Sequence, residues 1–101
     1  MEPNYESWFR LSGPKQMLNI GGEVYRALEW QKQNEFEKSR HFSDKALRYL
    51  EISKKDPKNK SRIHELIICE EALTDYFQTD SITKTSAKSL TDYFDSFIGF
   101  M

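Results

Sequence analysis

Cysteine is nearly missing from this sequence. Cys69 stands alone, which excludes an internal disulfide and points to a reducing compartment. With only three prolines and four glycines, the chain is neither collagen-like nor a low-complexity linker. No apolar run approaches the roughly 20 residues needed to cross a bilayer. The stretch from Met1 to Leu11 is acidic and broken by Pro3, unlike a secretory leader, so the cytoplasm is the expected location. Charge of one sign is not in excess either: 15 Lys and Arg face 16 Asp and Glu. A protein built to hold a nucleic-acid backbone usually carries a clear positive surplus. There is no paired-cysteine spacing and no His-Glu-x-x-His, so neither a metal nor a cofactor is expected. Gly21-Gly22 lacks the Gly-Lys-Ser/Thr ending of a phosphate loop, and Lys15 lies upstream of it.

What remains is amphipathic and helical. With 101 residues, 38% hydrophobic and 31% charged, the chain is read as one folded domain with one core. Residues 1–13 form an irregular or short helical lead. Ser12-Gly13-Pro14 marks a helix start, and Met17, Gly21, Val24 and Leu28 then share a face over about 14–33. Gly21 lies on that stripe, where it would let a neighbour come close; the alternative is a break at the glycine pair. A second helix is expected over 35–54, carrying Phe36, Ser39, Ser43, Ala46 and Leu50. Asn34 is its N-cap and Glu37 completes a capping box. Asp56-Pro57 ends it. Ser61 caps a third helix over 62–77, with Ile63, Leu66, Ile67, Leu73 and Phe77 inward and Cys69 and Tyr76 at the margin. Thr83 or Thr85 caps a last helix over 86–98, with Leu90, Phe94 and Phe97 on its inner face. The fold class is therefore all-α, a small antiparallel bundle of about four helices.

The run Lys32-Gln33-Asn34-Glu35-Phe36-Glu37-Lys38-Ser39, continuing to Lys45-Ala46-Leu47, resembles the turn and second helix of a tetratricopeptide repeat. The resemblance covers roughly residues 20–50 as a degenerate single unit. It implies that Asn34 takes the glycine of the turn, Phe36 the aromatic after it, and Ser39 and Ala46 two small packing positions. It implies a protein-binding role.

Three functional expectations follow. The first is a non-enzymatic protein-interaction or scaffold module, in a homodimer or with another protein, making contact through Trp8, Phe9, Phe97 and Phe100 with Tyr5 and Tyr93 beside them. The second is association with nucleic acid through a basic loop formed by Lys54, Lys55, Lys58, Lys60 and Arg62. The third is a small hydrolase-like enzyme using Glu70 with His41 or His64. It requires a histidine at hydrogen-bond reach of the carboxylate. Glu70 falls inside the apolar stripe of its helix, so it needs a partner, with Arg26, Arg40 or a tyrosine hydroxyl as candidates. Arg40-His41 and Arg62-Ile63-His64 are too closely spaced for the arginine–histidine signature of small helical nucleases of the HEPN type.

Overall fold

The computed structural model describes residues 5–78 and 86–97. Phe100, Ile82, Thr83, Thr85 and the side chain of Tyr5 lie outside the described residues. Within them the chain is all-α: α1 (Tyr5–Phe9), α2 (Gly13–Lys32), α3 (Phe36–Lys54), a 3-10 segment (Pro57–Arg62), α4 (Ile63–Gln78) and α5 (Ala87–Asp95). No strand occurs among the described residues, and the long helices pack α2 on α3, α3 on α4, and α5 on α2.

The start of α2 follows the sequence. The Ser12 hydroxyl accepts the Lys15 N–H at 3.2 Å, and Pro14 occupies the first turn, where a missing N–H costs nothing. The helix runs unbroken through Gly21-Gly22. A Cβ at Gly21 would lie 2.9 Å from Cβ and 3.0 Å from Cγ of Phe94, so the bare backbone is what seats α5 against α2. Met17, Ile20, Val24 and Leu28 bury the same face against Ala46, Leu50, Leu66 and Leu73. Each fully buried side chain of this size contributes about 1.5–3 kcal/mol.

The turn between α2 and α3 is built differently from the capping-box expectation. Asn34 has φ 60°, in the left-handed region, and Glu35 is the N-cap with no side-chain hydrogen bond. The Asn34 N–H bonds Gln31 O at 3.0 Å and the Glu35 N–H bonds Trp30 O at 3.0 Å. That pairing is a Schellman ending, so Asn34 terminates α2 instead of starting α3. Asparagine tolerates this conformation because its short polar side chain costs little there.

Two further corrections concern α3 and α4. Phe36 is 63% exposed and does not join the apolar stripe. Ser61 lies within the 3-10 segment, which occupies 57–62 and displaces the helix start to Ile63. On α4 the inward residues are Leu66, Cys69 and Leu73, while Ile67 and Ile68 face outward. The helix is rotated about its axis relative to the expected phase, and Cys69 moves from margin to core.

The lead is part of the core. Trp8 is buried, its ring 4.7 Å from that of Tyr49, and its indole N–H donates to Ser53 Oγ at 2.8 Å. Beside it lies a buried polar network. The Gln16 amide donates to Trp8 O at 3.0 Å and to Asp56 Oδ2 at 2.8 Å. The Asn59 amide donates to Gln16 Oε1 at 2.8 Å and to Ser53 O at 2.9 Å. Every member has a partner, the condition under which buried polar groups stabilise a fold. A more isolated polar group lies at the α2–α3 seam. There Glu23 pairs with Arg26 at 2.9 Å and Lys45 at 3.6 Å, and its Oε2 is buried without a hydrogen bond.

Candidate functional site

The basic stretch is more structural than its composition implies. Lys58 Nζ donates to Phe9 O and to Asp56 Oδ2, each at 2.5 Å. Burial raises the affinity of Asp56 for a proton, but hydrogen bonds from Lys58 and Gln16 outweigh it and hold the carboxyl below its ordinary range. Lys54 contacts Glu70 at 3.0 Å and Glu51 at 3.2 Å; the Glu70 bond comes first among the causes that raise its pKa. Arg62 lies 3.8 Å from Glu65 and over the Phe97 ring at 5.6 Å. Lys55 and Lys60 are exposed. Three of the five cations are thus held by the fold itself, on a 3-10 segment backed by buried Asp56 and Asn59 and not on a solvated loop.

Lys54 also answers the question posed by Glu70, in place of Arg26, Arg40 or a tyrosine. Glu70 is partly exposed at the edge of α4, next to the end of α3. His64 precedes it by six residues on the same helix, about 9 Å of axial rise. His41 lies 13 residues before Lys54 on α3, about 20 Å of rise from the end that meets Glu70. Both histidines are exposed, and the structure assembles neither pair. Among the described residues no group of three or more His, Cys, Asp or Glu is placed to hold a metal ion. No helix among them is long and apolar enough to cross a membrane.

The aromatic candidates separate into two groups. Trp8 and Phe97 are buried in the core of their own chain, which removes them as exposed anchors. Phe9 is half-buried against that core. Tyr93 is also half-buried and its hydroxyl donates to Glu65 Oε1 at 3.1 Å. Burial, then the neighbouring Cys69 and Glu65, push its pKa up.

Tyr93 leads to a feature that periodicity does not reveal. Because α5 packs on α2 and α4 packs on α3, the two helices leave a groove of about 260 Å³ between them. Ile68, Cys69 and Ala72 line it from α4, Leu90 and Tyr93 from α5, with Glu65 and Ser89 at its edges. Ile68 is 53% exposed at its mouth, whereas Leu90 and Cys69 form a dry floor. Burial, with the charges of Glu65 and Glu70 adding to it, pushes the Cys69 thiol up to about 12. The thiol is therefore an apolar wall element and not a nucleophile at neutral pH. A second cleft of about 260 Å³ lies under the α2–α3 turn, lined by Phe36, Arg40 and Phe77 among others, and is more polar.

An open apolar groove between helices is a recurrent seat for an amphipathic helix, which it engages through residues spaced three and four apart. Comparison with protein-family models, with curated proteins and with solved structures finds no match for this chain.

Proposed function

We propose that this chain is a non-enzymatic protein-interaction module that receives a helical segment of a partner protein in the groove between α4 and α5. The observation that carries the reading is the groove itself. It is an apolar trough with Ile68 half in solvent at its mouth and Leu90 and Cys69 closing its floor. Exposed apolar surface arranged around a concavity is the usual mark of a contact surface, in contrast to a lone exposed leucine. Of the aromatic residues singled out from the sequence, Tyr93 lines this groove. We further read the α2–α3 hairpin as tetratricopeptide-like. The left-handed Asn34 occupies the glycine position of the turn, and buried Ser39 and Ala46 occupy the small packing positions.

The test is a titration of isotope-labelled chain with an uncharged amphipathic peptide of leucine, alanine and glutamine, followed by amide resonances. Shifts at Ile68, Ala72, Ser89 and Tyr93 that vanish in Ile68→Ser are expected. No shifts, or shifts confined to the cleft by Phe36, would refute the assignment.

A further inference from the structure

We infer, resting on the groove reading, that the partner segment is a cationic amphipathic helix, with lysines or arginines flanking its apolar stripe. The charge of the whole chain hides a strong local bias. Helix α4 carries Glu65, Glu70, Glu71 and Asp75 and neither lysine nor arginine; α5 adds Asp92 and Asp95 against a single cation, Lys88. Glu70 is turned toward α3 and neutralised there by Lys54. Glu65, Glu71 and Asp75 lie elsewhere on the helix. Glu65 and Glu71 stand three residues before and after Ile68, and Asp75 three residues after Ala72, spacings that make them neighbours on a helix surface. The apolar mouth of the groove is thus interleaved with carboxylates along α4. A partner helix laid in the trough would place its own flanking side chains, at the same pitch, opposite them. Complementary charge at such a rim selects the partner and speeds its encounter.

The same charges weigh against a second copy of this chain as occupant. Two α4–α5 faces brought together about a two-fold axis would oppose carboxylate to carboxylate. Nor does the basic segment of another copy fit. It is a 3-10 stretch of six residues, with no helical apolar stripe to fill the trough, and Lys58 and Arg62 are already engaged within their own chain.

Three synthetic helical peptides with one apolar pattern, built on leucine with lysine, with glutamine or with glutamate, distinguish the possibilities by calorimetric titration of the full chain. The leucine–lysine peptide is expected to bind about tenfold or more tightly than the leucine–glutamate peptide at low salt, with the difference shrinking as salt is raised. Ile68→Ser is expected to abolish binding of all three. Neutralising Glu65→Gln, Glu71→Gln and Asp75→Asn together should weaken the lysine peptide by about five- to tenfold and leave the glutamine peptide unchanged. Circular dichroism of each variant establishes that it is folded. Equal affinity for all three peptides, lost in Ile68→Ser, would overturn the charge inference and leave the groove reading standing. Lysine-peptide binding that survives Ile68→Ser, or no binding by any peptide, would overturn both. A dimer in light scattering that Ile68→Ser converts to monomer would make a second copy the occupant and overturn the inference.

Discussion

Two adjacent glycines in one helix should respond in opposite ways to the same substitution. In an isolated helix, alanine at either position would gain about 1 kcal/mol over glycine. At Gly22 the new methyl would meet nothing closer than the Arg26 guanidinium at 3.5 Å, an ordinary contact with a movable group. Gly22→Ala is therefore expected to stabilise the chain by most of that 1 kcal/mol. At Gly21 the methyl would lie 2.9 Å from Cβ of Phe94, 3.0 Å from Cγ and 3.2 Å from Cδ1. The nearest of these is the root of a fully buried side chain, so relief requires α5 to move off α2 and not a mere rotamer change. Overpacking of this kind costs about 1–3 kcal/mol, enough to cancel or reverse the propensity gain. Gly21→Ala should therefore be less stable than Gly22→Ala by about 1–3 kcal/mol, and close to or below the parent. In a chain of this size 1 kcal/mol moves the melting temperature by about 4–8 °C, so thermal unfolding by circular dichroism resolves the two variants, with urea titration giving the free energies. Equal stabilisation at both positions would refute the close approach of α5 to Gly21.

Three other outcomes follow from the buried polar groups. Ser53→Ala leaves the Trp8 indole N–H without its acceptor, and about 1–2 kcal/mol of stability is expected to go with it in urea titration. A red shift of Trp8 emission without loss of stability would refute a buried bond. The Asp56 carboxyl is held below its unfolded value of 3.8, so its stabilisation is fully present above that value and is lost as pH falls through the lower folded one. Asp56→Asn should accordingly be less stable at neutral pH, with a shallower loss below about pH 4; parallel acid limbs would sink the assignment. Cys69, with its thiol pushed up to about 12, should resist a disulfide-exchange reagent at pH 8 in the native chain and react fully once unfolded. Prompt native-state labelling would contradict its burial.

Much of the helical framework is written in short-range pattern. Met17, Gly21, Val24 and Leu28 recur at helical spacing and do bury together, and the close-approach reading of Gly21 needed only its place on that stripe. Asn34 was harder, because asparagine serves equally well as an N-cap and as a left-handed helix ending, and only the backbone decides between them. On α4 the apolar arc is so broad, from Ile63 through Leu73, that its phase is ambiguous, and Ile67 and Cys69 exchange roles accordingly. Gln16 also left a trace: it lies four residues before Ile20, on the buried stripe, where a polar residue demands partners. Asp56 and Asn59 lie among lysines and give no such sign; their burial depends on Gln16, more than 40 residues away. The groove is the least legible feature, since it arises where α4 and α5 fail to pack, and a gap between helices has no periodicity.

The network around Gln16 also sets how the molecule comes apart. A helix of five residues cannot stand alone in water, so α1 exists only while Trp8 remains bonded to Ser53 and its carbonyl to Gln16. Those bonds join segments 45 and 8 residues apart, and Asn59 closes a span of 43 onto the same glutamine. In a chain without a covalent crosslink, this knot makes the amino-terminal turn a late-opening part of the structure instead of a fraying end. Its amides should exchange with solvent alongside those of α2 and α3, and a protease that needs several residues of open backbone should find its first cut elsewhere.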